Sequence, residues 1–142
     1  MIRFKLVALS GQKFDDDVYE VVIPTLDGEI GVLEGHMNLV SVAKTGVIAV
    51  RRNPRDSDAQ REYFATNGGV VEVADGVLSV LVDEADHSDE INEAEAQKAL
   101  ERAQKMVSEA KDQVSLERAQ AIVDRQSVRL QVSSLKRRRQ RP

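Results

Sequence analysis

The apolar residues of this chain change their period near residue 88, and that change calls for two differently built parts. Before it, Ile2, Phe4, Leu6 and Ala8 alternate with Arg3, Lys5, Val7 and Leu9, the period of two expected of a strand. Turn signals then recur at short spacing: Ser10-Gly11, Asp27-Gly28, Thr45-Gly46, Asn53-Pro54, Asn67-Gly68-Gly69 and Asp75-Gly76. Asp-Gly and Asn-Gly pairs supply the positive φ angles of tight hairpins. Val/Ile-rich runs fill the intervals, at 18–23, 29–33, 39–44, 47–52, 61–66, 70–74 and 77–83. Short strands with no helix between them predict an antiparallel β-sandwich or barrel over residues 1–87.

Beyond residue 88 the repeat is helical. Ala96, Ala99, Leu100, Ala103, Met106, Val107 and Ala110 fall on one face at 3.6 residues per turn. Their small size predicts a helix packed closely against another. Asn92, with Glu95 three residues later, has the form of a capping box and marks the helix start. A break is expected near 112–115, with Ser115 capping a second helix. On that helix Leu116, Ala119, Ile122, Val123, Gln126 and Leu130 share one broad side. Arg118, Arg125, Arg129 and Lys136 share an adjacent narrow stripe. Val128, Val132 and Leu135 lie off the apolar side and are free to touch something else. No glycine or proline interrupts residues 89–141. The expected architecture is therefore α+β: an N-terminal antiparallel β-sandwich, 1–87, followed by a C-terminal two-helix antiparallel hairpin, 88–142.

Composition narrows the chemistry. There is no cysteine, which removes disulfides, thiolate metal sites and a cysteine nucleophile. The only histidines are His36 and His87. They lack the spacing of a zinc site, and His87 reads as linker surface. The run Asp15-Asp16-Asp17 lacks the glycine and glutamate of a calcium loop and reads as a solvated loop. With five aromatics, the core must be built of Val, Leu, Ile and Ala. No apolar run is long enough to span a bilayer. Met1-Ile2-Arg3-Phe4-Lys5 enters the alternating pattern at once, so no signal or transit peptide is expected.

The net charge of −4 hides an asymmetry. Residues 1–88 hold 8 Lys/Arg against 15 Asp/Glu, and residues 89–142 hold 12 against 9. Such a split predicts two parts with different partners. The terminal Lys136-Arg137-Arg138-Arg139-Gln140-Arg141 allows nucleic-acid binding, but the β half is acidic and aromatics for base stacking are scarce. No nucleic-acid partner is expected.

Two segments are more specific than the pattern. Gly28-Glu29-Ile30-Gly31-Val32-Leu33-Glu34-Gly35-His36 resembles the loop-and-strand signature of the epsilon subunits of F-type ATP synthases. Asn67-Gly68-Gly69-Val70-Val71-Glu72-Val73 resembles their second signature, a Gly-Gly turn entering a strand. Order, spacing and the helical hairpin that follows all match, so the resemblance covers almost the whole chain. It implies a non-catalytic rotor subunit without a cofactor, whose sandwich sits on the gamma subunit and touches the c-ring polar loops. The hairpin would either fold on the sandwich or extend toward the alpha/beta head, where it obstructs hydrolysis. The complex would make ATP from an ion gradient, H+ or Na+. Membrane association would be peripheral, on the cytoplasmic face of a bacterial membrane or the stromal face of a plastid thylakoid.

Carried onto this chain, the resemblance assigns Glu29, Gly31 and His36 to the c-ring contact. Glu34 stands where the family usually has proline, and Met37-Asn38-Leu39 where it has Ala-Pro-Leu. A general acid/base pair of Glu29 and His36 is the weaker reading, because it requires a shared pocket. Arg118, Arg125, Arg129 and Lys136 are assigned to an acidic loop of the beta subunits, against the plainer reading of a solvated face. Some bacterial relatives bind ATP through Ile/Leu-Asp-x-x-Arg-Ala. Here the run is Ile91-Asn92-Glu93-Ala94-Glu95-Ala96, with Asn92 for the aspartate and Glu95 for the arginine. A carboxylate in place of a cation repels phosphate, so no nucleotide site is expected. A reading of another class is a stand-alone β-sandwich adaptor whose hairpin binds other macromolecules.

Overall fold

A computed structural model describes residues 1–140, with side chains through Arg138. Eight strands precede two helices: β1 (Ile2–Ala8), β2 (Gly11–Val18), β3 (Glu20–Thr25), β4 (Gly28–Leu33), β5 (Leu39–Ala43), β6 (Gly46–Arg51), β7 (Glu62–Ala74) and β8 (Val77–His87), then α1 (Glu93–Glu109) and α2 (Gln113–Gln140). Short 3₁₀ turns occupy Asp58–Gln60 and Ser88–Glu90.

The strands run β2-β1-β8-β7-β5-β3-β4, and β6 closes the path by pairing with both β3 and β7. The result is a sandwich with its core between the layers. Alternation fills that core: Ile2, Phe4, Leu6 and Ala8 of β1 are all buried, as are Leu78, Val80 and Val82 of β8. Ile23, Ile48, Phe64 and Val71 reach in from the other strands. Three rings form a chain through it. Phe4 and Phe14 lie 5.2 Å apart, and Phe14 meets Phe64 edge-on at 6.0 Å. Phe64 in turn meets the His87 imidazole edge-on at 5.1 Å.

The predicted sandwich is present, and details differ from the sequence reading. One pairing, β1 with β8, is parallel. The Asp15-Asp16-Asp17 run lies in strand β2 rather than a loop. Arg3 Nε donates to Asp15 Oδ1 at 2.8 Å and Arg52 pairs with Asp16 at 3.1 Å, so the acidic strand is matched by neighbouring cations. Gly68-Gly69 is not a turn. It sits inside the continuous 13-residue strand β7, where the pairing partner on one side changes. Residues 62–66 pair with β6 and residues 69–73 with β5. Asn67 Oδ1 accepts the Glu84 N–H at 2.8 Å across that change. The Asp75-Gly76 turn does form as expected, with φ of 52° and 80°, and makes the tight hairpin between β7 and β8.

His87 is not linker surface. Its ring packs on Phe64, its Nε2 lies 3.3 Å from Glu62, and its Nδ1 accepts the Asp89 N–H at 3.0 Å. The chain therefore leaves the sandwich through a fixed junction. Lys13 braces it by pairing with Glu90 at 3.1 Å. Burial pushes the Glu90 carboxyl up, but the Lys13 ammonium and the His87 N–H outweigh it and leave its pKa lowered.

Asn92 caps α1 as expected, its side chain accepting the Glu95 N–H at 3.0 Å. The cap of α2 is Asp112, not Ser115: Asp112 Oδ1 accepts the Ser115 N–H at 2.7 Å. An aspartate one residue ahead of the helix accepts from its first turn and favours the positive end of the helix dipole. The two helices pack on residues seven apart, Ala96 and Ala103 against Ala119, Gln126 and Ser133, all of them buried and all but Gln126 small. Small side chains at such a seam let helix axes approach closely.

Candidate interaction surfaces

Glu29 is the second residue of β4 and Gly31 follows two residues on, so both share one side of that strand and both are exposed. The strand stands at the end of the sheet path, and the β3–β4 turn presents Leu26, 69% exposed, beside Asp27. His36 lies beyond the other end of β4, where its Nδ1–H donates to the Met37 carbonyl at 2.7 Å. The structure thus groups Glu29 with Gly31 and sets His36 at the opposite end, next to exposed Met37. Separated by the length of a strand, about 3.3 Å per residue, Glu29 and His36 are not placed side by side as paired acid/base work requires.

A second surface escaped the sequence reading. On the outer face of the sheet Val42 pairs with Val70, and Val70 with Leu81. The row continues from Leu81 to Val7 on β1. Val42, Val70 and Leu81 are 51%, 45% and 54% exposed, and Val40, one step along the same face, is 72% exposed. A contiguous apolar stripe left in water marks a contact site. The signal was available: in 69–73 and 77–83 the strands carry apolar residues on both faces, which belongs to strands covered on both sides.

The cationic stripe of α2 turns inward. Arg125 pairs with Glu84, Arg129 Nε lies 3.7 Å from Asp86, and Lys136 Nζ lies 2.9 Å from Asp89. Arg137 pairs with Glu93 of α1 at 3.1 Å. Only Arg118 of the assigned residues is exposed with no ion pair among the described residues. The end of the basic run, Arg141 and the side chains of Arg139 and Gln140, lies outside the described residues. Val132, which the sequence placed off the main apolar side, is fully buried.

A groove of about 390 Å³ opens between the helices, lined by Glu95, Ala96, Lys98, Ala99, Arg102, Gln126 and Arg129. The Asn92 side chain is engaged in capping, and Glu95 lines the groove along with Lys98, Arg102 and Arg129. No cluster of His, Cys, Asp and Glu among the described residues has metal-binding form.

These surfaces define a class: a two-part contact subunit, a sandwich with an apolar outer face carrying a docked, charge-paired helical hairpin. The comparisons give that class a family. The beta-sandwich domain of the ATP synthase delta/epsilon chain matches residues 1–88, and the long alpha-helix domain of the same chain matches residues 89–134. The ATP synthase epsilon chain of Prochlorococcus marinus (strain MIT 9515) is 34% identical over 107 residues, 75% of this chain and 76% of that one. The fold is shared with a chain in the cryo-EM structure of the Euglena gracilis mitochondrial ATP synthase (OSCP/F1/c-ring, rotational state 1). That likeness has a TM-score of 0.77 at 24% identity, over 94% of this chain and 81% of the other. A chain in the Tetrahymena thermophila mitochondrial ATP synthase central stalk and c-ring gives 0.57 at 13% identity, over 90% and 95%. The chain belongs to the epsilon-subunit family of F-type ATP synthases.

Proposed function

We propose that this chain works as a non-catalytic coupling subunit of the rotor, seated on the gamma subunit and reaching the c-ring, with a hairpin that restrains ATP hydrolysis when released. The observation that carries this reading is the exposed row of Val42, Val70 and Leu81. A docked hairpin that leaves this face bare points to another subunit as its cover, and gamma is the partner the family supplies. The Glu29–Gly31 edge is the surface offered to the c-ring polar loops, and His36–Met37 at the other end of β4 is the second part of that surface. Arg118, together with Arg125, Arg129 and Lys136 once freed, forms the surface offered to acidic segments of the alpha/beta head. Membrane attachment runs through the complex; among the described residues no helix is long and apolar enough to cross a bilayer.

The test is binding to an epsilon-depleted catalytic head that contains gamma. Full-length protein is expected to bind and to lower ATP hydrolysis. Leu81→Glu, which places a charge in the middle of the row, is expected to weaken binding by a factor of ten or more, about 1.4 kcal/mol. Unchanged binding by a folded Leu81→Glu variant would remove the apolar face from the interface. No binding by either form would favour the adaptor reading.

Tight Mg-ATP binding in the interhelical groove is not expected, because Glu95 stands at the motif position where the ATP-binding relatives carry arginine. Glu95→Arg combined with Asn92→Asp is expected to raise the affinity at least tenfold by titration calorimetry. Tight binding by the unaltered chain would overturn the expectation.

A further inference from the structure

We propose that the docked hairpin is held by an ion-pair latch, Arg125, Arg129 and Lys136 of α2 on Glu84, Asp86 and Asp89 of the sandwich edge and junction. Release of the hairpin then depends on ionic strength and on competition by acidic surfaces. The consequence for the complex rests on the central-stalk reading above; the latch itself is a property of the isolated chain.

The two faces of α2 divide the labour. Ala119, Gln126 and Ser133 face α1, and Ser133 Oγ reaches Glu93 at 3.4 Å. The residues turned toward the sandwich are Arg125, Arg129, Val132 and Lys136, at steps of four, three and four. Val132 is fully buried on this side, and Leu135 lines a cleft with Ala59 and Tyr63 of the sandwich. Two aliphatic side chains bury little surface, and the three charge pairs fix where α2 lies along the sandwich edge. Glu84 and Asp86 lie on one side of β8, two residues apart, and Asp89 follows in the 3₁₀ turn. Three acids in six residues thus face three cations in twelve. The pairing is also incomplete: the Nε atoms of Arg125 and Arg129 are buried without a hydrogen bond. A partly satisfied polar contact is a shallow minimum.

The pairs differ in their exposure to salt. Arg129 and Asp86 have side chains 20% and 25% exposed, whereas Asp89 is 68% exposed. The Lys136–Asp89 pair should loosen first and the Arg129–Asp86 pair last. Because the same cations cannot serve two acidic surfaces, an acidic segment that engages α2 must displace the sandwich edge.

The experiment uses the full chain, which has no native cysteine, spin-labelled at Gln12→Cys and Ser127→Cys, both on exposed positions. Pulsed electron spin distance measurement reads the docked population. Screening shortens from about 10 Å at about 0.1 M salt to about 3 Å at about 1 M. Over that rise the docked-to-released ratio is expected to fall between about threefold and about a hundredfold, the range set by three partly exposed pairs. Glu84→Gln with Asp86→Asn is expected to give the released distribution at low salt, with helical content by circular dichroism unchanged. Arg125→Glu should release the hairpin and a second change, Glu84→Arg, should restore docking. Poly-glutamate should release the unaltered hairpin and poly-glutamine should not. A distance distribution that stays fixed to 1 M salt (on the order of a 3 Å screening length) would sink the latch and assign docking to the apolar contacts of Val132 and Leu135. Should a variant fail to fold, the salt series on the labelled unaltered chain decides. Loss of gamma binding would count against the central-stalk reading and leave the latch standing.

Discussion

At position 69 only a hydrogen fits. A Cβ there would lie 2.0 Å from the Leu81 carbonyl oxygen and 2.9 Å from the Val82 Cα, both backbone atoms of the adjacent strand. Gly68 is different, since its Cβ would sit at an ordinary 3.6 Å from the Ala43 oxygen. Gly69→Ala is therefore expected to cost about 1–3 kcal/mol, read as a lower urea midpoint, while Gly68→Ala should stay within about 1 kcal/mol. Removing a ring from the core should cost more: Phe64→Ala about 3–5 kcal/mol, because Phe64 links Phe14 to His87. The ion-paired and capping carboxylates set the acid limit. Hydrogen bonding from Arg3 lowers the Asp15 pKa, that from Arg51 lowers Asp58, and the Ser115 N–H lowers Asp112. A group depressed in the folded state contributes stability above its unfolded value, about 3.9, and loses it as pH falls through the folded value. The thermal midpoint should thus be flat above about pH 5 and fall below about pH 4, with Asp58→Asn removing part of the slope. A glycine pair and an acidic triplet were visible in the sequence, but not their settings. Gly68-Gly69 looks like a turn until the approach of β8 is known, and Asp15-Asp16-Asp17 looks like a loop until Arg3 and Arg52 are placed beside it.

Among the elements, strands and helices were legible where periodicity is strict. Ile2 through Ala8 alternates without a break, and Ala96 to Ala103 keeps the helical step. Asn92 signalled its own role because capping is local chemistry. Asn92→Ala is expected to lose about 0.5–2 kcal/mol of stability, seen as reduced helical signal and a lower melting point. Pairing between strands was less legible, because it depends on contacts far apart in the chain. Nothing in Arg3 to Val7 announces that β1 runs parallel to residues 77–81. The displaced cap of α2 has the same character: Asp112 and Ser115 are both good caps, and helix propagation through Gln113 and Val114 decided between them.

For the whole molecule, the surfaces were read less completely than the fold. Arg118, Arg125, Arg129 and Lys136 were found as a stripe, since a helix fixes which residues share a side. Sequence could not say that three of them face Glu84, Asp86 and Asp89, because that choice depends on how the hairpin lies on the sandwich. The Val42–Val70–Leu81 row was missed for a related reason: its members come from three strands and meet only through register. A partner that covers this face should stabilise the sandwich by mass action, with a melting point that rises with gamma concentration. Leu81→Glu should abolish that rise while changing the melting point of the free chain little.

The aromatic poverty of the chain has an optical consequence. There is no tryptophan, and of the two tyrosines one, Tyr63, borders the end of the docked hairpin. Its hydroxyl lies 3.4 Å from the Asp58 carbonyl, and it lines a small cleft with Leu135 and Arg138 of α2. Lifting α2 would bring water onto that ring while leaving Tyr19, which forms the β2–β3 link, in place. Near-ultraviolet emission of the unlabelled protein should therefore carry a hairpin signal of its own, and Tyr63→Trp would make it readable inside the assembled enzyme.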